Sequence, residues 1–167
     1  GEGTSFVLTL PAFIEHPSKE GGNSENRDKP DGIEASEGQL SANNELIMIV
    51  DDKPALVEML STLLKRRGYR VAGFTDPLAA YDYFAEDPSQ FSLVLTDITM
   101  PALRGDRLAE RIHSVRPRIP IVAYTDYSAE VNETQAAAAG ITRLLHKPLE
   151  TDKLADVLRN VLLKEII

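Results

Sequence analysis

Short apolar segments alternate with amphipathic segments from residue 46 to the end of the chain. The first, Leu46–Val50, contains no polar residue, which is typical of a strand buried on both faces. The apolar residues that follow it recur at helical spacing, and Gly68 predicts the end of that helix. These apolar positions are Leu56, Met59, Leu60, Leu63 and Leu64.

The same alternation predicts four more strand and helix pairs. The further strands are predicted at residues 69–74, 91–97, 119–124 and 141–146. The further helices are predicted from Pro77 to about Glu86, from Gly105 to Val115, from a Ser128 cap to Ala139, and along Leu154, Val157, Leu158, Val161 and Leu162.

Strands that alternate regularly with helices indicate an α/β fold in which helices cover both faces of a parallel sheet. Connections between parallel strands are right-handed, which leaves few topologies. We therefore predict a flavodoxin-like (βα)5 sandwich with a parallel five-stranded sheet in the order 2-1-3-4-5.

The residues before position 46 have a different composition. Residues 15–45 include eight acidic and three basic residues and few apolar ones, so burial cannot offset the entropy of ordering them. We predict a disordered acidic linker there.

Residues 1–14 contain one segment of alternating apolar and polar residues, which Pro11 ends. A single strand of this kind resembles a fragment of a larger domain. We thus predict that the chain consists of three segments: residues 1–14, the linker at residues 15–45, and a folded domain at residues 46–167.

Composition excludes several kinds of protein. The chain has no cysteine, so it forms no disulfide or thiolate metal site, which suits a reducing compartment. No apolar run approaches the ~18 residues that a membrane span needs. The net charge of −8 is concentrated in the linker, and residues 46–167 are nearly balanced without a basic stripe. This distribution argues against binding of nucleic acid.

Polar residues stand at the carboxyl ends of four predicted strands. Asp51 and Asp52 follow the first, Asp97 ends the third, Thr125 follows the fourth and Lys147 follows the fifth. In the predicted sheet these ends share one edge, which is where open α/β sheets bind ligands. Taken alone, Asp97 is equally well explained as the N-cap of the next helix. Together, the residues predict a crevice with three carboxylates, a hydroxyl and an ammonium group.

Three neighbouring carboxylates repel one another unless a cation is present. Hard oxygen ligands suit Mg²⁺, which keeps several waters and accepts a phosphate oxygen as a further ligand. Lys147 is a point charge that can pair with a phosphoryl oxygen, and Thr125 can donate a hydrogen bond to it. The set is typical of a site that receives a phosphoryl group on a carboxylate.

Over about residues 46–163 the chain resembles the receiver domain of two-component signalling. The resemblance rests on four motifs in order: Ile49-Val50-Asp51-Asp52-Lys53-Pro54, Thr96-Asp97-Ile98-Thr99-Met100-Pro101 with Gly105, Ala123-Tyr124-Thr125, and Lys147-Pro148-Leu149. It implies that Asp97 is the phosphoacceptor and that Lys147 is the phosphate partner. It also implies that Thr125 is the switch hydroxyl and that the Lys147–Pro148 bond is cis. The implied Mg²⁺ ligands are Asp51, Asp52 (directly), Asp97 and the backbone carbonyl of Thr99.

Two positions depart from the family pattern. Leu144 stands three residues before Lys147, where the family usually has an aromatic switch residue. Asp126 stands directly after Thr125, where a small residue is usual, and its carboxylate either repels an incoming phosphoryl donor or faces solvent.

Residues Gly1–Pro11 resemble the last glycine-rich box and closing strand of the histidine-kinase ATP-binding domain. On that resemblance, residues 1–14 are the C-terminal remnant of such a domain and the chain is the C-terminal part of a hybrid sensor histidine kinase. The expected partners are then a kinase phosphohistidine domain or a histidine phosphotransfer protein. We expect a cytoplasmic monomer or weak dimer without direct membrane contact, whose parent protein can be membrane-anchored.

Two alternatives remain open. A degenerate receiver would act as an interaction module without phosphorylation. A phosphatase with an aspartyl nucleophile is disfavoured, because such enzymes place a second Asp two residues after the first, where this chain has Thr99. We therefore expect that the receiver alone is not an enzyme.

Overall fold

The structure, a computed structural model, describes residues 45–126 and 131–164. The predicted N-terminal strand and nearly all of the predicted linker lie outside these residues. Five strands alternate with five α-helices, and a short 3₁₀ turn, Pro88–Gln90, precedes the third strand. The elements are β1 (Leu46–Val50), α1 (Pro54–Arg66), β2 (Arg70–Phe74), α2 (Pro77–Glu86), β3 (Phe91–Asp97), α3 (Gly105–Val115), β4 (Ile121–Thr125), α4 (Glu133–Ala138), β5 (Arg143–His146) and α5 (Thr151–Lys164).

The strands form one parallel sheet in the order β2-β1-β3-β4-β5. The predicted flavodoxin-like fold and its strand order are confirmed. β3 is the central strand, and its last residue, Asp97, pairs in register with Tyr124 of β4. The carboxyl ends of β1, β3, β4 and β5 therefore meet at one edge of the sheet.

Helices cover both faces of the sheet. Alternate strand residues point to opposite faces, so each face has its own apolar cluster. One cluster joins the sheet to α2, α3 and α4, and includes Phe84, Leu108 and Ile112. The other joins it to α1 and α5, and includes Leu60 and Leu158. No helix in the two described ranges is long and apolar enough to cross a membrane.

Two apolar residues that follow the helical spacing are exposed rather than buried. Helical spacing places Met59 in α1 and Val115 in α3 near the buried residues of their helices, but 51% and 41% of their surfaces are exposed. Isolated exposed apolar residues of this kind are common on protein surfaces.

The start of α4 also differs from the prediction. Ser128 lies outside the described residues, and the helix begins at Glu133. Its N-cap is Asn132, whose side chain accepts a hydrogen bond from the backbone N–H of Gln135, while the Gln135 side chain accepts one from the N–H of Asn132. This reciprocal capping box stabilises the start of α4 at Glu133.

The loop between β3 and α3 is tightly constrained. A Cβ atom on Gly105 would lie 2.1 Å from the carbonyl oxygen of Asp97, so only glycine lets α3 begin this close to the strand. Within the loop, Ala102 has a φ of 63°, in the left-handed region that disfavours residues with a Cβ. Ala102 is therefore a strained position beside the carboxyl end of β3.

We expect Ala102→Gly to stabilise the fold. Glycine removes a left-handed penalty of about 1–2 kcal/mol and adds unfolded-state entropy of about 0.4–1 kcal/mol. The free energy of unfolding should therefore rise by about 0.5–1 kcal/mol, as measured by urea denaturation.

The matched control is Ala155→Gly in the middle of α5, where the same chemical change should lower the free energy of unfolding by about 1 kcal/mol. If Ala102→Gly destabilised the chain as much as the control does, Ala102 would not be strained.

Candidate functional site

The predicted site residues come together at the carboxyl edge of the sheet. Asp51 follows β1, Asp97 ends β3, Thr125 ends β4 and Lys147 follows β5. Asp51, Asp97 and Thr125 are fully buried or nearly so, although they are polar. Buried polar groups require partners, so their contacts indicate what this edge of the sheet is built to hold.

Three carboxylates form the acidic part of the site. One oxygen from each of Asp51, Asp52 and Asp97 lies within 4.8 Å of the others. Like charges at such distances raise one another's free energy in a buried site. The group therefore needs positive charge and hydrogen-bond donors around it.

Asp97 has a partner on each oxygen. Its Oδ2 accepts a hydrogen bond of 2.9 Å from the Lys147 ammonium, and its Oδ1 accepts one of 3.1 Å from the backbone N–H of Thr99. The Thr99 side chain is exposed, so this residue contributes through its backbone. Both carboxylate oxygens of Asp97 are thus engaged within the site. Asp97 does not cap α3, because that helix begins eight residues later at Gly105.

Asp51 also has both oxygens engaged. Its Oδ1 accepts a hydrogen bond of 2.8 Å from the backbone N–H of Lys53. Its Oδ2 accepts one of 2.8 Å from the hydroxyl of Tyr124. Burial raises the pKa of Asp51, and the two hydrogen bonds counteract that rise only in part. Asp51 is thus a buried acid that its surroundings hold in one orientation.

Tyr124 is a member of this site whose role the sequence motifs did not predict. It lies within the apolar run of β4, and its side chain is completely buried. Burial and the nearby Asp51 carboxylate raise the pKa of Tyr124 far above its usual value, so the phenol remains protonated and donates. A phenol in an otherwise aliphatic strand next to Thr125 was the signal that could have identified it.

Two buried oxygens at this edge have no hydrogen-bond partner among the described residues. They are Oδ1 of Asp52 and Oγ1 of Thr125. An unpaired buried oxygen costs free energy unless a ligand or ion satisfies it. In strand order, one follows β1 and the other ends β4, so they flank Asp97 on β3. The donor set of carboxylate and hydroxyl oxygens fits a hard cation and a phosphoryl group.

Lys147 supplies the positive charge. Burial lowers the pKa of Lys147, but the hydrogen bond and negative charge of Asp97 outweigh burial, so the pKa lies above its usual value. The ammonium also lies 4.0 Å from Asp126, whose side chain is 52% exposed. Lys147 therefore stays charged at neutral pH and faces Asp97 in preference to the more hydrated Asp126.

Two further predicted positions lie beside Lys147. The Lys147–Pro148 peptide bond is cis. Leu144 of β5 is half-buried and packs against the apolar cluster on the side of α2, α3 and α4. An aliphatic side chain therefore occupies the position where the resemblance implies an aromatic switch residue.

Comparisons with known proteins agree with this geometry. The model of the response regulator receiver domain family matches residues 47–159. The response regulator receiver protein CpdR of Brucella abortus is 30% identical over 117 residues, which cover 70% of this chain and 96% of CpdR. The transcriptional regulatory protein ZraR of Klebsiella oxytoca is 36% identical over 108 residues, covering 65% of this chain and 24% of ZraR. The chain thus spans about a quarter of the length of that regulator.

Solved structures show the same fold. A response regulator receiver domain protein from Clostridium thermocellum superposes with a TM-score of 0.69 at 22% identity, covering 72% of this chain and 96% of that one. A CheY-like receiver domain protein from Methanospirillum hungatei JF-1 gives 0.66 at 27% identity, covering 72% and 94%. Since the family model matches more than half of the chain and CpdR aligns over nearly its whole length, the chain belongs to the response regulator receiver domain family of two-component signalling.

Proposed function

We propose that this receiver domain accepts a phosphoryl group on Asp97 with the help of Mg²⁺ and thereby switches protein interactions in a phosphorelay. The observation that supports the proposal most directly is the pair of unpartnered buried oxygens, on Asp52 and Thr125, that flank Asp97. Oxygens of this kind suit a site completed by a cation and a phosphoryl group.

The transfer is a substitution at phosphorus. A carboxylate oxygen of Asp97 forms the new P–O bond while the P–N bond of a phosphohistidine breaks, and the bonding electron pair leaves with the imidazole nitrogen. Lys147 then pairs with a phosphoryl oxygen instead of the Asp97 carboxylate, and the Thr125 hydroxyl donates a hydrogen bond to another. These two contacts pull on the ends of β4 and β5.

The residues expected to hold Mg²⁺ are Asp51, Asp52, Asp97 and the backbone carbonyl of Thr99. When bound, the ion supplies positive charge that offsets repulsion between the carboxylates and the incoming phosphoryl oxygens. Asp52 is the best placed to bind it directly, because its buried Oδ1 has no partner among the described residues.

The donor in this proposal is a phosphohistidine, on a histidine kinase or a histidine phosphotransfer protein. We further propose that the parent is a hybrid sensor histidine kinase, since Gly1–Pro11 resemble the end of a kinase ATP-binding domain. These residues lie outside the described ranges. The sequence encoded upstream of Gly1 tests this part, because a kinase core must stand there.

We also propose that the domain is not itself an enzyme and acts in the cytoplasm as a monomer or weak dimer. Thr99 stands where an aspartyl phosphatase would need its acid. The nearly balanced charge of residues 46–167 favours protein partners over nucleic acid.

Asp97→Asn should abolish phosphorylation. The amide retains the size of the side chain but lacks the nucleophilic carboxylate. With acetyl phosphate and Mg²⁺, intact-mass spectrometry should show a phosphorylated fraction for the wild-type chain and none for the variant.

The control is Asp126→Asn, which removes a neighbouring exposed carboxylate and should leave the phosphorylated fraction at least as high as in wild type. A wild-type chain that stays unmodified, also with a phosphorylated histidine phosphotransfer protein, would contradict the proposal and favour a receiver that acts without phosphorylation.

Asp52→Asn should remove the stabilisation of the fold by Mg²⁺. Without the ion, this variant should be about 1 kcal/mol more stable than wild type, because one of three repelling carboxylates is gone. Mg²⁺ at about 100 times its dissociation constant should stabilise wild type by about 2.7 kcal/mol. Thermal unfolding with and without Mg²⁺ measures both effects.

Asp126→Asn again serves as the control and should keep the response to Mg²⁺. Equal Mg²⁺ stabilisation of wild type and Asp52→Asn would show that the ion binds elsewhere.

A further inference from the structure

Tyr124 has contacts that a residue filling the core does not need. Its side chain is completely buried and packs in the apolar cluster on the α1 and α5 side of the sheet. At the far end of the ring, its hydroxyl donates a 2.8 Å hydrogen bond to Oδ2 of Asp51. The phenol thus ends on a carboxylate rather than in the core.

The path of this side chain crosses the phosphoacceptor strand. Tyr124 on β4 is paired in register with Asp97 on β3, and β3 separates β4 from β1. To reach Asp51, which follows β1, the ring must extend past the end of β3. Tyr124 therefore lies alongside Asp97 and connects two strands that are not neighbours in the sheet.

The hydrogen bonds distinguish Asp51 from its sequence neighbour Asp52. Asp51 has a donor on each oxygen, from Lys53 N–H and from the Tyr124 hydroxyl, so rotation of its carboxylate breaks a buried hydrogen bond. Asp52 keeps its buried Oδ1 without a partner among the described residues. Tyr124 thus orients one acid while its neighbour stays available to a ligand.

The same ring also faces the cation of the site. The Lys147 ammonium lies 5.3 Å from the centre of the Tyr124 ring, within the range of a cation–π interaction. The ring therefore supports Lys147 in addition to the hydrogen bond that this ammonium donates to Asp97. One side chain contacts both the acid after β1 and the lysine after β5.

We propose that Tyr124 is a positioning residue for phosphoryl acceptance: its hydroxyl holds Asp51 in the orientation that Mg²⁺ binding requires, and its ring holds Lys147 beside Asp97. The inference rests on the proposed function, since it takes Mg²⁺ as the ion. Groups that hydrogen-bond a metal-binding carboxylate typically change metal affinity by about 10–100-fold when removed.

Tyr124→Phe separates the hydroxyl from the ring. In the 167-residue chain and with no phosphoryl donor, calorimetric titration with Mg²⁺ should give a dissociation constant about tenfold higher than wild type. At saturating Mg²⁺ the rate of phosphorylation by acetyl phosphate should return to within about twofold of wild type, because the ring and Lys147 remain in place.

The matched control is Tyr83→Phe, which removes a phenol hydroxyl from α2, where the ring packs against Phe74 and Phe91. Its Mg²⁺ affinity should equal that of wild type. An unchanged Mg²⁺ affinity in Tyr124→Phe, with wild type binding the ion, would overturn the inference and leave the proposed function standing. Absence of Mg²⁺ binding by wild type would overturn both.

The contribution of the ring has a separate readout. The Lys147 side-chain methylene protons should show an upfield NMR shift from the aromatic ring, which Tyr124→Phe should retain and Tyr124→Leu should lose. Equal Lys147 shifts in the Phe and Leu variants would overturn this half of the inference. If Tyr124→Leu does not fold, the wild-type spectrum decides alone, and Lys147 shifts without an upfield component there would overturn this half as well.

Discussion

Repulsion between three carboxylates at the ends of neighbouring strands is the constraint on which the site depends. Asp51, Asp52 and Asp97 present oxygens within 4.8 Å of one another, and two of these residues are excluded from water. Charges so placed are tolerated only where donors and cations face them. The Lys147 ammonium, the Tyr124 phenol and two backbone N–H groups face the buried pair.

These compensating groups belong to different parts of the sheet, which makes the edge sensitive to charge. Lys147 follows β5, Tyr124 belongs to β4, and both contact acids that stand on β3 or follow β1. In the proposed function, phosphorylation of Asp97 changes the charge that all of them face. Thr125 then gains a partner. Leu144 of β5 presents an aliphatic side chain where the resemblance implies an aromatic switch residue.

Local patterns predicted the fold because segments with the apolar pattern of strands alternate regularly with segments of helical period between residues 46 and 164. The same patterns predicted the ends of helices and the margins of buried helix faces less accurately. The start of α4 depends on a reciprocal bond between Asn132 and Gln135, and in the sequence Ser128 is a competing candidate for the cap. The exposure of Met59 depends on how α1 packs against the rest of the fold, and the spacing of apolar residues along one helix does not determine that packing.

The sequence by itself determined which chemical groups stand at the ends of the strands, because each apolar run stops at a polar residue whatever its neighbours are. Parallel pairing then brings Asp51, Asp97, Thr125 and Lys147 to one edge. Only the tertiary structure decided the role of Tyr124, whose partner lies 73 residues away, after a strand that is not its neighbour. In a run of apolar residues a tyrosine is indistinguishable from core, and its hydroxyl acquires a function only when the order of strands places a buried carboxylate within its reach.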